Sequence, residues 1–324
     1  MPNPTAGSGH VSRPLTNISI AYIQKQENFI STKVFPLIKS GKQGNRYFIY
    51  NRGDFYRDEA QLRAPATETD GAGYRLTTDT FFCDVYGIHK DVDDQIRANA
   101  DQPIQMDRDA TIFVTQLMML RREIDWAANF FIPAVWGTTM TGVAAGPVGN
   151  QFVGWNQAAA LPIQDVQNQI QTVEGLTGFS PNTLVLSPDT FYWVKNNADI
   201  IDRIKYTQRG VTTTDVLASL FEVDTVLIAR GVRNDAAEGA AEATGYIMTD
   251  GALLCYSNPN PSLMAPSAGY SFTWSGFIGS GPDGQRIKKF RMENLSADRV
   301  EGEIVFDHKR VDAQLGVFFT NTIV

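Results

Sequence analysis

Cysteine and histidine are scarce in this chain, which limits the chemistry that it can carry. Its 324 residues include two cysteines, Cys83 and Cys255, and three histidines, His10, His89 and His308. The cysteines stand far apart and form no CxxC pair, so we expect two buried thiols and no disulfide framework. No GxSxG motif accompanies His308. The one candidate for a nucleophile pair is Cys83 with the distant His308. We therefore predict no catalytic residue, no metal site and no bound cofactor.

Long apolar runs and an excess of positive charge are missing as well. The N-terminal stretch MPNPTAGSGHVSRPL lacks the apolar core of a signal peptide, and no later run has the length of a membrane span. The formal net charge of -7 gives no sign of phosphate binding on the scale of a DNA-binding protein. Because 43% of the residues are hydrophobic and 19% are charged, the chain can bury a real core.

The first half of the chain predicts a terminal arm, two strands and one long helix. Residues 1–14 are rich in proline, glycine and serine, and RYFIY (46–50) and TDTFFCDVYGI (78–88) have the composition of strands. A helix of about seven turns is expected after DRDA (107–110), ending at Pro133. Its expected buried face has apolar residues at spacings of four and three: Phe113, Leu117, Leu120, Ile124, Ala127 and Phe131.

The second half alternates helices and short apolar strands, and residues 151–275 therefore predict a separate α/β domain. Ile163, Val166, Ile170 and Val173 mark one amphipathic helix, and SPDTFYWVKNN begins another with a serine cap and a proline. The segments NTLVL (182–186) and TVLIA (225–229) predict buried strands. From 285 onward three amphipathic strands follow, which we expect to join the strands near 46–50 and 78–88.

Two motifs suggest chemistry, and in both cases a structural interpretation is favoured. GSGPDG (279–284) matches GxGxxG, but a strand-like segment follows where a dinucleotide site needs a helix, so a turn is expected. HKDVDDQIRANAD (89–101) holds one histidine and four aspartates, His89, Asp91, Asp93, Asp94 and Asp101, but it lacks the glycine and glutamate of a calcium loop. We interpret it as a charged helix start or a surface that faces a partner.

The stretch RGDFYRDEAQLRAPATETDGAGYR (52–75) suits neither a packed core nor a flexible linker. It mixes charges of both signs with Phe55, Tyr56 and Tyr74, unlike glycine/serine linkers or acidic tails. Because it lies between the strands predicted at 46–50 and 78–88, it is the distal part of a long two-stranded ribbon. Such a ribbon is marginal in water and needs another surface to lie on.

Several segments together resemble the major capsid proteins of tailed bacteriophages, which have the Hong Kong-97-type capsid fold. The specificity lies in their number and order, and the resemblance covers nearly the whole chain from residue 15. The segments are LTNISIAYIQ…FISTKVFP (15–36), YNRGDFYRDEAQLRAP (50–65), DVYGIHKDVDDQIRANAD (84–101), DRDATIFVTQ (107–116), DRIKYTQRG (202–210) and PSLMAPSAGYSFTW (261–274).

The resemblance implies an α+β fold and a part for each region of the chain. Residues 1–35 would be the N-terminal arm, and 36–90 would hold the extended β-ribbon called the E-loop together with strands of the P-domain. Residues 91–150 would complete the P-domain with its long spine helix and β-sheet, 151–275 would form the α/β A-domain, and 276–324 would return to the P-domain.

The resemblance also implies a structural function, in which hexamers and pentamers form an icosahedral shell around double-stranded DNA. The E-loop would lie on a neighbouring subunit, with aromatic anchors and charges that fix the register. The alternative is a ribbon folded over its own domain. The expected contact residues are Arg52, Asp54, Phe55, Tyr56, Arg57, Asp58, Glu59 and Arg63.

Two departures from relatives affect the expected partners. Only a short arm precedes Leu15, so assembly would need a separate scaffolding protein unless a longer precursor is trimmed; a portal and a decoration protein are further expected partners. No lysine stands between Lys42 and Lys90, which disfavours autocatalytic crosslinking from the E-loop. We expect a virion protein that assembles in the host cytoplasm without a membrane, and the alternatives are an enzyme with a pocket in 151–275 or a tail-tube protein.

Overall fold

The computed structural model describes residues 24–99, 105–205, 213–261, 265–279 and 284–324. Most of the predicted arm, His10 and Asp101 lie outside the described residues, as do parts of segments 202–210, 261–274 and 279–284. The helices are α1 Ser31–Val34, α2 Arg52–Phe55, α3 Asp94–Ala98, α4 Met106–Phe130, α5 Pro162–Thr177, α6 Pro188–Lys195, α7 Ala198–Ile204, α8 Thr214–Phe221 and α9 Ser275–Ile278. The strands are β1 Leu37–Ser40, β2 Gly44–Tyr50, β3 Leu76–Phe82, β4 Asp84–Asp93, β5 Thr138–Val143, β6 Gln151–Val153, β7 Thr183–Leu186, β8 Thr225–Ile228, β9 Val232–Asn234, β10 Thr244–Tyr246, β11 Gly251–Cys255, β12 Gly269–Trp274, β13 Gln285–Met292, β14 Ala297–Arg310 and β15 Gly316–Thr320.

One five-stranded sheet is organised around the long strand β14. The first part of β14 pairs antiparallel with both β13 and β4, and its last residues pair with β12, which in turn pairs with β1. The helix α4 packs on this sheet, with Val114 and Met118 against Ile304 and Phe306. Gly302 allows this close approach, since a Cβ atom there would lie 2.3 Å from Cγ1 of Val114.

A six-stranded sheet in the order β6-β5-β15-β11-β7-β8 forms the second body of the fold. The strand β11 runs antiparallel to both neighbours, whereas the outer pairs on either side are parallel. The predicted stripe Ile163, Val166, Ile170 and Val173 of α5 is buried in its main core cluster. The helix α6 starts as predicted, because the side chain of Ser187 accepts a hydrogen bond from the backbone N–H of Thr190.

Three of the strand predictions need correction. The strand near 46–50, β2, is not joined by the returning strands, because in the described chain it pairs with β3 in a separate two-stranded sheet. The segment 78–88 is not one strand: it is divided at the buried Cys83 between β3, which pairs with β2, and β4, which pairs with β14. The last strand, β15, does not join β13 and β14 but lies between β11 and β5 of the six-stranded sheet. Its burial explains the difference, because Gly316 to Phe319 are buried and the strand is covered on both faces.

The long helix is confirmed at 106–130, but its predicted buried face is wrong in part. Phe113 is half exposed, and Leu117, Leu120 and Ile124 are partly exposed. Ala127 and Phe131 are buried as predicted, and the rest of the buried face is Ala110, Val114, Met118, Met119, Arg122, Glu123, Trp126 and Phe130. Spacing alone chose the most apolar stripe, whereas the helix also buries Glu123, whose carboxylate accepts from the backbone N–H groups of Ile30 and Ser31.

Residues 89–99 of the motif are the end of β4 followed by the short helix α3, which agrees with the predicted charged helix start. The carboxylate of Asp93 caps α3 by accepting from the N–H groups of Gln95 and Ile96. Residues 280–283 lie outside the described residues, and a strand starts at Gln285 beyond them, so no helix follows the GxGxxG match. The six-stranded sheet includes β5 and β15, which lie outside residues 151–275. The sheet and the predicted domain therefore have different limits, and the domain limits stay a prediction.

Candidate assembly interface

The two-stranded ribbon predicted around residues 52–75 is present. The strands β2 and β3 pair antiparallel from Gly44 opposite Phe82 to Tyr50 opposite Leu76, and within the described chain they pair with no other strand. Its base is fixed to the body, because Phe81 stacks on Phe272 at 4.2 Å between ring centroids and the N–H of Phe82 donates to Asp307. The base of the ribbon is thus packed against the body.

At the far end of the ribbon a helical turn is held by the carboxylate of Asp54. The side chain of Asn51 caps this turn, α2. Asp54 accepts from the backbone N–H of Arg75 at 2.9 Å and from its guanidinium at 3.1 Å, and this pairing holds the pKa of Asp54 below its usual value. Arg57 bridges Asp54 and Glu59. These contacts close the turn on the start of β3.

The aromatic residues of the stretch divide between the turn itself and the body of the subunit. The rings of Tyr50, Phe55 and Tyr74 contact each other with centroids 5.6 to 5.9 Å apart, and Phe55 is 48% exposed. The hydroxyl of Tyr56 instead donates to the carbonyl oxygen of Thr177, at the end of α5. In the single chain the ribbon tip therefore touches its own body.

Beyond Glu59 the stretch has almost no cover. Residues 60–80 are exposed, and the side chain of Leu62 is fully exposed at 101%. Arg63 donates to the nearby carbonyl oxygen of Thr67, and Asp58 is also exposed. An apolar side chain in this position gains nothing from folding of the single chain.

Of the eight predicted contact residues, the structure brings Asp54, Arg57 and Glu59 together and places Arg52 3.9 Å from Asp312 of the body. Sequence analysis missed Arg75, Thr177 and Asp312 as partners. The pairing of Arg75 had a signal, because the two ends of the ribbon tip must meet where β2 and β3 end. Thr177 and Asp312 lie more than a hundred residues away and had none.

A groove of about 1100 Å³ lies between the ribbon and the body. Leu37, Ile38, Phe179, Pro266, Tyr270 and Phe272 contribute its apolar lining on the body side. On the ribbon side it is bounded by β2 and by Phe55 and Tyr56. The middle of the ribbon consequently stands away from the body and touches it at its base and near its tip.

The residues considered for catalysis have buried, unreactive surroundings. Burial raises the pKa of the Cys83 thiol to about 12, so the thiolate nucleophile is scarce at neutral pH. Burial, together with the charge of Arg122, lowers the pKa of His308 to about 3, and its Nδ1 is 2.8 Å from the hydroxyl of Ser271. Among the described residues no group of three or more histidines, cysteines or carboxylates could hold a metal ion. No helix in the described ranges is long and apolar enough to cross a membrane.

Comparison with known proteins gives one curated sequence relative and many structural ones. The chain is 22% identical over 234 residues to the major capsid protein of Burkholderia phage BcepMu, covering 68% of this chain and 69% of the relative. No family model matches the sequence.

Among solved structures, a phage-related protein from Bordetella bronchiseptica superposes with a TM-score of 0.69 at 20% identity, over 92% of this chain and 94% of the other. The capsid structure of cyanophage P-SCSP1u gives a TM-score of 0.59 at 11% identity, over 94% of this chain and 90% of the other. The encapsulin of Synechococcus elongatus gives a TM-score of 0.53 at 11% identity, over 95% of this chain and 93% of the other.

These matches cover nearly the whole chain and define its class: the protein has the Hong Kong-97-type capsid fold, with a two-stranded ribbon and a long helix on the central sheet. Within that class, which includes phage capsids and encapsulins, its sequence is related to a phage major capsid protein.

Proposed function

We propose that this chain is the major capsid protein of a tailed double-stranded-DNA phage and that its hexamers and pentamers form an icosahedral shell. The observation that carries the proposal is the exposed ribbon tip. Residues 60–80 form a long projection with Leu62 fully exposed, although the chain has ample core elsewhere. Such a projection is stabilised only when another surface covers it, and in a shell every subunit supplies that surface to a neighbour.

Each region of the chain has a part in this proposal. The ribbon is the E-loop, the sheet around β14 with α4 is the P-domain, and residues 151–275 are the A-domain. Arg52, Asp54, Phe55, Tyr56, Arg57, Asp58, Glu59 and Arg63 lie at the contact between E-loop and neighbour. Phe55 is an aromatic anchor with 48% of its surface exposed, whereas Asp54 acts indirectly, by keeping the turn closed on Arg75.

The partners of the shell follow from the same assignment. We propose a separate scaffolding protein, a portal and possible decoration proteins as further components. Packaged DNA is enclosed without specific binding, which suits a chain with a net charge of -7. The protein then functions in the virion after assembly in the host cytoplasm, with no chemistry of its own and no membrane.

Electron microscopy of the purified protein tests the proposal against both alternatives. Closed shells, or hexameric and pentameric rings, are expected above a threshold concentration. Stacked rings would instead identify a tail-tube protein. A monomer at every concentration that binds a small molecule in residues 151–275 would identify an enzyme.

Shortening the ribbon tests the part given to the E-loop. Replacing residues 51–75 by Asn-Gly joins Tyr50 to Leu76, which already pair, through a two-residue hairpin. We expect a soluble protein with a cooperative melting transition that forms no stable shells, because the tip adds little to the core of its own subunit and its contacts with the neighbour are lost. The control is Leu62→Ser, which removes one exposed apolar side chain and should weaken shells without abolishing them. Intact, salt-resistant shells from the shortened chain would contradict this assignment.

A further inference from the structure

Two polar contacts hold the ribbon to its own body near the tip. Tyr56 donates its hydroxyl hydrogen to the carbonyl oxygen of Thr177, and Arg52 lies 3.9 Å from Asp312. Gly178 makes room for the first contact, because a Cβ atom there would lie 3.1 Å from the Tyr56 hydroxyl. The side chains of Arg52 and Asp312 are each 36% exposed, and an exposed ion pair is weak.

The space under the ribbon shows that this closed position is not a packed one. Protein interiors have few voids larger than a water molecule, yet a groove of about 1100 Å³ separates the ribbon from apolar residues of the body. In contrast, the base is packed, with the rings of Tyr47 and Phe81 stacked on Phe272. The ribbon can therefore turn about its base when the two contacts near the tip break.

We infer that the ribbon is a strap that closes on its own body in the free subunit and must open before that subunit joins a shell. The contacts of Tyr56 with Thr177 and of Arg52 with Asp312 form the latch. This inference rests on the proposed function, because Arg52 and Tyr56 are also proposed to touch the neighbour. A side chain engaged in the latch is not available to a second subunit, so latch and assembly compete.

The competition has a quantitative consequence. If only open subunits assemble, the threshold concentration is raised by the inverse of the open fraction. Weakening the latch from the body side, with the ribbon sequence unchanged, should lower the threshold. Loss of one exposed ion pair should lower the threshold concentration by roughly 2- to 5-fold.

The first experiment compares Asp312→Asn with a matched control. The asparagine oxygen can still accept from the N–H of Gln314, as Asp312 does, while the charge that attracts Arg52 is lost. The control is Asp235→Asn, which removes the same charge from a pair with Arg233 in the β9 hairpin. Light scattering against protein concentration gives the threshold for each. We expect a lower threshold for Asp312→Asn only; equal thresholds for wild type and Asp312→Asn, a higher threshold for Asp312→Asn, or equal shifts in both variants would overturn the inference.

The second experiment locks the strap. The double variant Asn51→Cys, Asp312→Cys, at two positions that line the groove, is joined by a short bismaleimide, and the native Cys83 and Cys255 are buried and thus protected. Linked subunits should stay unassembled at concentrations where the unlinked double variant forms shells. Assembly of the linked protein would disprove the strap and leave the capsid proposal standing. Absence of shells from the wild-type protein itself would instead reject the proposed function.

Discussion

At the scale of single residues, the closest approach of helix and sheet depends on a glycine. Gly302 lies in β14 under α4, where a Cβ atom would meet Cγ1 of Val114 at 2.3 Å and Cε of Met118 at 2.8 Å. Gly87 in the neighbouring strand β4, opposite Glu303, has a different environment, since a Cβ atom there would have its nearest neighbour, the carbonyl oxygen of Gly302, at 3.8 Å. The two positions form a natural pair for substitution.

We predict that Gly302→Ala lowers the free energy of unfolding by about 1–3 kcal/mol, because it overpacks the contact with α4. Gly87→Ala should change it by no more than about 0.5 kcal/mol. Urea unfolding of the free subunit measures both. Equal effects at the two positions would mean that the helix moves away without cost.

His308 gives the stability of the subunit a pH dependence of known sign. Its pKa is lowered to about 3 in the folded chain, mainly by burial, so below pH 6.5 the unfolded chain takes up a proton that the folded chain refuses. The contribution of His308 to the free energy of unfolding is complete above pH 6.5. It is lost as the pH falls toward 3, by up to about 1.4 kcal/mol per pH unit.

The variant His308→Gln isolates this contribution, since glutamine does not titrate. Asp165 acts in the opposite direction, because burial raises its pKa to about 6, but its effect is common to both proteins. We expect the unfolding free energy of wild type to fall more steeply between pH 6 and 4.5 than that of His308→Gln. Parallel curves would show that the folded chain admits the proton.

At the scale of elements, the long helix shows where a hydrophobic pattern misleads. Its existence followed from spacing, but its orientation depends on partners that the pattern does not contain. Glu123 is fully buried because its carboxylate accepts from the N–H groups of Ile30 and Ser31, about ninety residues earlier in the chain. A carboxylate at such a position reads as a surface residue in any sequence pattern.

The same reasoning explains which other elements were predictable. The helix α6 was, because Ser187 and Pro188 mark its start locally. The sheet to which β15 belongs was not predictable, because an alternating pattern indicates a strand but does not identify the strands beside it. For the ribbon, the location of the contact residues was predictable, but their partners Thr177 and Asp312 were not.

Adjacent residues of α4 test the corrected face. Val114 is fully buried against β14, whereas Phe113 is 50% exposed. We predict that Val114→Asp buries an unpaired charge and costs about 4 kcal/mol or more, which prevents soluble expression. Phe113→Asp should yield folded subunits with a melting temperature near that of wild type. A soluble, stable Val114→Asp protein would refute the assigned face.

At the scale of the whole molecule, the chemistry of the E-loop bears on how shells hold together. No lysine lies between Lys42 and Lys90, and the basic residues of the stretch are arginines, whose guanidinium groups are poor nucleophiles at neutral pH. We predict that boiled, reduced particles run on a denaturing gel as one band at the mass of a single chain, 35.8 kDa. A ladder of covalent oligomers would contradict this and direct attention to Lys42.

The position of β15 has a consequence for synthesis on the ribosome. Residues 316–320 lie between β5 and β11, whose residues were made long before. Until residue 320 has emerged, the facing edges of β5 and β11 stay unpaired, and the apolar side chains beside them stay exposed to solvent. From the synthesis of Cys255 to that of Thr320 the nascent subunit therefore has an open seam, where chaperones or other nascent chains can bind.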